Sequence, residues 1–425
     1  MTTRGVGPVS LSGLAVDIPA ASHKYLAVLF TVLLVGCASE AVHNPVSLDR
    51  LIRNPVPLEH LLDAEVLDMP DVRAWGDAHS ELFQQDLIES IRNELPGLFH
   101  NPVDGSFEYA GLALSGGGDH GAFGVGVLKG WSESGTRPVF KVVTGISTGA
   151  LIAPFALLGS DYDQVVQEAY TTITASDIYR EKPLITKFLG EAMADNHPLQ
   201  HLVHQVVTDE VIDAVGEAHR NGQRLYIGTT NFDAQRPVIW NMGAVANSVH
   251  PEAYDVFRKV LIASAAIPIL FPPVLIEAEV DGGIYDEMHV DGGTVGQMFF
   301  YGATLDWRRV LREVSGEENP VDHSVFYAIV DGEIDPEPMH VERHLMSITE
   351  RTASTLIKVS AWSSLYRMYL HAQQRGYAFR FIALPDTYEP EVSEPYNQQE
   401  MTRMFEIGYE LGLAGNAWRS IPPGF

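Results

Sequence analysis

The sequence predicts an α/β protein with a mainly parallel sheet that is covered by helices on both faces. The prediction depends on the alternation of two kinds of segment from Glu108 onward and on their spacing. Short apolar runs suited to strands, Tyr109–Leu114 and Val139–Thr144, are each followed by a longer run suited to a helix, Gly121–Glu133 and Thr148–Leu158. This alternation is typical of parallel sheets, because the crossover between two parallel strands places a helix on a sheet face.

Later segments continue the pattern towards the C-terminus. The predicted strands are Arg224–Thr230, Pro237–Trp240, Ser324–Val330 and Phe379–Leu384, and the predicted helices are Phe257–Ala266, Val341–Gln374 and Gln398–Leu413. No repeat or linker interrupts them, so we predict one α/β domain with a catalytic core at residues 108–305 and a C-terminal part at residues 306–425. Before it, the helix-like segment Val72–Arg92 predicts an N-terminal helical extension over residues 69–107.

The N-terminal region contains an apolar run, Tyr25–Gly36, that ends at Cys37, the single cysteine of the chain. A run this short is typical of a signal-peptide core and not of a membrane span. Its ending, Leu-Val-Gly-Cys, resembles a bacterial lipobox, in which the cysteine is acylated. We therefore expect a signal peptide at residues 1–36, a lipid anchor at Cys37 and a tether at residues 37–68. The alternatives are an ordinary signal peptide and a buried strand.

A lipid anchor would place the protein in the bacterial cell envelope. Ala38 gives no inner-membrane retention signal, which favours the outer membrane, facing the periplasm. The formal net charge of −27 argues against a nucleic-acid partner, and also against electrostatic binding to anionic lipid. A single cysteine excludes an internal disulfide and a multi-cysteine metal site. No cofactor is predicted, and the oligomeric state is left open.

The first glycine motif is Ser115–Gly121, between a predicted strand and a predicted helix. Glycines there let the backbone turn sharply and direct N–H groups at a negative charge, beside a helix N-terminus. The spacing also fits a dinucleotide fingerprint, but the next strand ends at Ser147 without the acidic residue that such a site needs. No Gly-Lys-Ser/Thr follows, which excludes a P-loop.

The second motif, Gly145-Ile146-Ser147-Thr148-Gly149, lies between a β-branched strand and an Ala/Leu-rich helix. A nucleophile elbow requires this strand–turn–helix context, which exposes the serine hydroxyl at a sharp turn. The pattern is common when it stands alone, and its placement makes it informative. We predict Ser147 as a nucleophile.

The third motif, Asp291-Gly292-Gly293, ends a short predicted strand. An aspartate before glycines is most often a turn residue. A serine nucleophile, however, needs a base to accept its proton, and Asp291 is a candidate. A similar Asp281-Gly282-Gly283 ten residues earlier is interpreted as a hairpin turn.

The order of the three motifs resembles that of the patatin-like phospholipases, as do the stretches Thr229–Asp233, Ala263–Pro268 and Phe271–Pro273. The resemblance implies a three-layer α/β/α fold and hydrolysis of acyl-lipid esters through an acyl-enzyme, in lipid catabolism. It places the catalytic dyad on Ser147 and Asp291. It assigns the oxyanion loop to Gly116, Gly117 and Gly118, and the remaining motif positions to Gly121, Gly145, Gly149, Gly292 and Gly293. His120 stands where the family has a basic Arg or Lys, which puts a charge contribution from that position in doubt.

Two alternatives involve histidines. A Ser–Asp–His triad would use a histidine after Asp291, and the candidates are His323, His340, His344 and His371, none of them in a recognisable catalytic loop. His289 lies on the same strand as Asp291, where lining the sheet is the simpler role. His197, His201 and His204 have a spacing that can bind zinc on a helix, but without a completing carboxylate we predict no metal site. A different class of function is a catalytically silent lipid-binding or scaffold lipoprotein on the same fold.

Overall fold

The computed structural model describes residues 53–66, 68–95, 98–99, 101, 106–183, 190–300, 304–318, 320–336 and 338–425. The predicted signal peptide, Cys37 and most of the predicted tether lie outside these residues. The described residues from Pro55 to Phe425 form one compact unit. Within the described residues, no helix combines the length and apolar character needed to span a bilayer.

The strands of the described residues are β1 (Glu65–Val66), β2 (Arg73–Trp75), β3 (Ala110–Leu114), β4 (Val142–Gly145), β5 (Arg180–Glu181), β6 (Ala194–Asp195), β7 (Arg224–Asn231), β8 (Arg236–Asn241), β9 (Val274–Val280), β10 (Gly283–Asp291), β11 (Val325–Val330) and β12 (Ala378–Ala383). The helices are α1 (Glu81–Arg92), α2 (Gly121–Glu133), α3 (Thr148–Leu158), α4 (Asp163–Thr172), α5 (Ala175–Ile178), α6 (His197–Val206), α7 (Asp209–Arg220), α8 (Met242–Ala246), α9 (Ala253–Ser264), α10 (Trp307–Ser315), α11 (Leu345–Arg375) and α12 (Gln398–Ala414).

The main sheet has a parallel centre and antiparallel additions. Its strand order is β1-β9-β10-β7-β4-β3-β11-β12, and β8 joins β7 to β2. The pairs β3–β4, β4–β7, β3–β11 and β11–β12 are parallel, whereas β8, β9 and β10 join antiparallel. The predicted α/β fold with a mainly parallel central sheet is therefore confirmed.

Helices cover both faces of the sheet, as alternate residues of one strand show. In β3, Leu112 and Leu114 pack in one apolar cluster, whereas Ala113 between them packs in a second. Successive strand residues point to opposite faces, so the two clusters are the two cores that flank the sheet. The first contains α2, α3, α4, α6, α7, α9 and α12, and the second contains α1, α10 and α11.

Two sequence-based expectations near the N-terminus need correction. The predicted helix Val72–Arg92 begins only at Glu81, where Ser80 caps it by accepting from the Phe83 amide at 3.2 Å. Arg73–Trp75 instead forms β2 and pairs with β8. Residues 55–66, placed in the predicted tether, belong to the folded unit, since β1 pairs with β9.

Candidate active site

Ser147 occupies a sharp turn between the end of β4 and the start of α3. Its φ of 56° and ψ of −124° lie in a region that residues with a side chain rarely adopt. A Cβ at Gly145 would lie 2.4 Å from the carbonyl oxygen of Gly149, and one at Gly149 would lie 2.5 Å from that of Leu114. The two glycines of the motif are therefore needed because the backbone passes too close for any side chain. Strain at an otherwise well-packed turn is typical of a functional position.

A serine that the sequence analysis did not single out fixes this turn. Ser264, at the end of α9, accepts a hydrogen bond from the Ser147 amide at 3.0 Å, and its hydroxyl donates to the carbonyl of Gly228 at 2.7 Å. Both bonds are buried and connect α9, β7 and the elbow. Ser264 lies in the family-like stretch Ala263–Pro268, but local sequence gave no sign of its partner 117 residues away.

Asp291 ends β10, which pairs antiparallel with β7 and so approaches the elbow from the side. Its carboxylate accepts from the Gly293 amide at 2.6 Å, and its backbone amide donates to the carbonyl of Ala266 at 2.9 Å. A Cβ at Gly292 would lie 2.5 Å from the carbonyl oxygen of Gly228, so this turn too requires glycine.

The carboxyl group of Asp291 is buried, and burial raises its pKa from 3.8 to about 7. Hydrogen bonding to the Ser147 hydroxyl and to the Gly293 amide lowers the pKa, but desolvation outweighs both effects. The structure thus brings Ser147 and Asp291 together, as the dyad requires, and gives the carboxyl a pKa suited to a base near neutral pH. Their catalytic roles remain predictions.

The glycine loop before α2 differs from expectation at one position. The amide of Gly116 donates to the carbonyl of Gln297 at 3.0 Å, so it is not available to bind an oxyanion. The amides of Gly117 and Gly118 donate to no acceptor in the described part of the chain. We therefore restrict the predicted backbone donors to Gly117 and Gly118. Gly118 has a φ of +62°, and a Cβ at Gly117 would lie 2.1 Å from the carbonyl oxygen of Asp331.

Further along the loop, Gly121 begins α2, and a Cβ there would lie 2.4 Å from the Thr148 hydroxyl oxygen. The partly buried His120 precedes it, beside Gly332. Asp331, behind the loop, is buried, and burial raises its pKa well above the usual range of a carboxyl. The loop is thus backed by an acid that burial favours in its neutral form.

A narrow apolar cavity opens at Ser147. The lining comes mainly from α3, α4, α6 and the segment after α9, and includes Leu151, Phe155, Val166, Ala169, Tyr170, Ile173, Leu199, Val203, Val207, Ile267, Phe271 and Tyr396. The cavity therefore suits a hydrocarbon chain whose reacting end lies at the serine.

The histidines considered as triad members lie elsewhere. His323, His340 and His344 are exposed, His371 is on α11, and the described contacts of Ser147 and Asp291 include no histidine. His289 is buried, with its ring nitrogens 3.0 Å from the Thr229 hydroxyl and 3.3 Å from Glu287, so it belongs to the sheet network.

The three histidines with zinc-compatible spacing lie on α6, and His197 contacts Asp195. In the described residues, no group of three His, Cys, Asp or Glu side chains could hold a metal ion.

The hairpin interpretation of Asp281 and Gly282 is confirmed. The two residues connect β9 to β10 and have φ values of 51° and 75°. Positive φ at both central residues is the geometry that two-residue hairpin turns prefer.

Solved structures that resemble the chain include VipD and ExoU. VipD from Legionella pneumophila has 13% identity over 76% of this chain and 71% of VipD, with a TM-score of 0.36. ExoU, solved in complex with SpcU from the type III secretion system of Pseudomonas aeruginosa, has 12% identity over 72% of this chain, with a TM-score of 0.32. The match spans only 52% of ExoU.

No curated protein sequence matches the chain. The family model of the patatin-like phospholipases matches residues 112–295, which contain Ser147, Asp291 and the whole glycine loop. The resemblance inferred from the three motifs is confirmed. Residues 112–295 therefore contain a patatin-like phospholipase domain.

Proposed function

We propose that this protein is a serine hydrolase of acyl-lipid esters that works through a Ser147–Asp291 dyad and an acyl-enzyme. One observation carries the proposal. A serine on a strained elbow faces a buried carboxyl with a pKa of about 7, at the mouth of an apolar cavity. This arrangement supplies a nucleophile, a base and a place for the acyl chain.

The chemistry follows from these positions. Asp291 accepts the Ser147 hydroxyl proton as the Ser147 oxygen attacks the ester carbonyl carbon. The resulting oxyanion accepts hydrogen bonds from the amides of Gly117 and Gly118. The tetrahedral intermediate collapses, the ester C–O bond breaks, and Asp291 returns the proton to the leaving alcohol. Water then attacks the acyl-enzyme carbonyl while Asp291 accepts its proton. The bond between the acyl carbon and the Ser147 oxygen breaks, Asp291 returns the proton to that oxygen, and the fatty acid leaves.

The acyl chain would lie in the cavity between α3, α4 and α6. The side chains that line this cavity are mostly apolar, so they offer few hydrogen-bond partners to a polar headgroup. The headgroup would face the opening near the glycine loop. This assignment leaves the lipid class open between phospholipid, lysophospholipid, neutral glyceride and small ester.

Purified protein is assayed on a panel of these four substrate classes, beside Ser147→Ala and Asp291→Asn. We expect both variants to lose activity by at least about 10³-fold, because nucleophile and base act as a unit. Ser160→Ala, an exposed serine just beyond α3, is the matched control and should retain activity. A folded wild type that neither hydrolyses the panel nor reacts with a fluorophosphonate would overturn the proposal in favour of a silent lipid-binding protein.

We also propose that Cys37 carries a lipid anchor that holds the enzyme in the bacterial envelope, at the outer membrane facing the periplasm. The support is the apolar run Tyr25–Gly36, which ends at the single cysteine of the chain. Metabolic labelling with an alkyne fatty acid should mark the wild type and not Cys37→Ser, and gradient separation of the membranes should place the wild type in the outer one. Equal labelling of the two proteins would contradict the anchor.

A further inference from the structure

Tyr396 has a backbone conformation that is unusual for an aromatic residue. It lies 101 positions beyond the end of the family match, directly before α12, and has a φ of 57°. Bulky residues with positive φ are strained, and they persist where neighbouring structure holds them. Two contacts do so here. The Tyr396 amide donates to Asp119 of the glycine loop at 2.8 Å, and Asn397 caps α12 by accepting from the Gln399 and Glu400 amides.

The side chain of Tyr396 reaches the catalytic cavity. It lines the same space as Ser147, and its hydroxyl oxygen is 3.7 Å from where a Cβ of Gly118 would lie. Its ring packs edge-on against Tyr179, with centroids 6.3 Å apart. In the described residues, no acceptor or donor pairs with the Tyr396 hydroxyl. Burial raises the pKa of Tyr396, and the charge of Asp119 adds to this effect more than that of Asp291, so the hydroxyl keeps its proton.

A hydroxyl at this position would compensate for a donor that the glycine loop does not provide. The Gly116 amide is bonded to Gln297, which leaves only the amides of Gly117 and Gly118 for an oxyanion. A tyrosine hydroxyl is a recognised type of oxyanion donor when it is held in place before the reaction. Tyr396 is held in this way, because its backbone is bonded to the loop that carries the other two donors.

We propose that the Tyr396 hydroxyl is the third hydrogen-bond donor to the oxyanion, supplied by the C-terminal part of the chain. The role rests on the proposed ester hydrolysis. No covalent bond to Tyr396 forms or breaks. The hydroxyl keeps its proton and shares it with the substrate oxygen, which becomes negative as Ser147 attacks. Tyr396 is on this account a catalytic residue, since it touches a reacting atom.

The test compares Tyr396→Phe with the wild type on a soluble ester. Tyr409→Phe is the control, because Tyr409 lies on α12, the helix that follows Tyr396, and its hydroxyl bonds to Glu133, away from the cavity. Loss of one oxyanion donor typically lowers kcat by about 10²–10³-fold. We expect a fall of about 10²-fold in kcat for Tyr396→Phe with KM within about twofold, and unchanged kinetics for Tyr409→Phe.

A thionoester of the same acyl chain separates a catalytic role from a structural one. Sulfur is a weak hydrogen-bond acceptor, so removing an oxyanion donor should harm the ester more than the thionoester. The ratio of the ester rate to the thionoester rate should fall by at least about fivefold in Tyr396→Phe. This ratio does not depend on the fraction of enzyme that is folded. An unchanged ratio with an active wild type would overturn the role of Tyr396 alone. Absence of hydrolysis by the wild type would overturn the proposed function itself.

Discussion

Because the Asp291 carboxyl is buried, its ionised form should lower the free energy of unfolding. Asp291→Asn should remove this destabilisation. The folded pKa is about 7 and the usual value is 3.8, a difference of about three units. Each unit corresponds to about 1.4 kcal/mol, so ionising Asp291 costs the folded state about 4 kcal/mol. The folded state binds the proton more tightly than the unfolded state. The contribution of Asp291 to the free energy of unfolding is therefore fully present below pH 3.8 and is lost as the pH rises through 7.

The measurement is the free energy of unfolding in urea at several pH values, for the wild type and Asp291→Asn. The asparagine does not titrate. The free energy of unfolding of the variant, relative to that of the wild type, should therefore rise by about 2–3 kcal/mol between pH 5 and pH 8. Asp281→Asn changes an exposed aspartate in the β9–β10 turn and controls for the loss of one negative charge. A difference between Asp291→Asn and wild type that stays constant from pH 5 to pH 8 would refute the reasoning.

Three further results are expected. Hydrolysis of a neutral ester should rise with pH, with kcat/KM half-maximal near pH 7 and about tenfold lower for each unit below pH 6, because Asp291 must be ionised to accept the proton; a profile without an acid limb would argue against this base. Gly149→Ala should lower the free energy of unfolding by about 1–3 kcal/mol or more, since its Cβ would lie 2.5 Å from the Leu114 carbonyl oxygen; an unchanged urea midpoint would contradict that close approach. Val203→Trp should lower activity on long-chain esters by about tenfold relative to butyrate esters, because Val203 lines the apolar cavity; a chain-length profile identical to wild type would place the acyl chain elsewhere.

Local signals explain what could be predicted from the sequence. The helices Gly121–Glu133 and Thr148–Leu158 occur with the predicted bounds, because a glycine turn begins each one and a polar or glycine residue follows it. The glycines around Ser147 could also be predicted from the local sequence, since a sharp strand-to-helix turn tolerates few other residues. Helix α9 agrees less well, beginning one turn before the predicted Phe257.

Contacts between distant residues explain what could not be predicted. Arg73–Trp75 forms a strand only because β8, more than 160 positions later, offers a free edge. The Gly116 amide cannot donate to an oxyanion, because it already donates to the carbonyl of Gln297. Ser264 contacts the Ser147 turn only because that turn packs on the end of α9. None of these partners leaves a local pattern, so a motif can identify Ser147 without identifying what holds it.

The packing of α2 on α12 explains how Tyr396, outside the residues of the family match, lies beside the candidate site. At four positions a Cβ would lie within 2.3 Å of a backbone oxygen of the other helix, and all four are glycine: Gly126, Gly130, Gly408 and Gly412. The contacts run in parallel, with Gly408 against Phe123 and Gly412 against Val127. Ten residues of α12 and two of α2 precede the Gly408–Phe123 contact, whereas seven residues of α12 and five of α2 precede the Gly126–Phe405 contact.

At 1.5 Å per residue, the mean difference of five residues carries the start of α12 about 7–8 Å beyond the start of α2. The glycine loop lies directly before α2, so the close helix contact fixes Tyr396 beside it. The glycines on α12 thus help to position Tyr396 beside the glycine loop, although they lie far from that loop in the sequence.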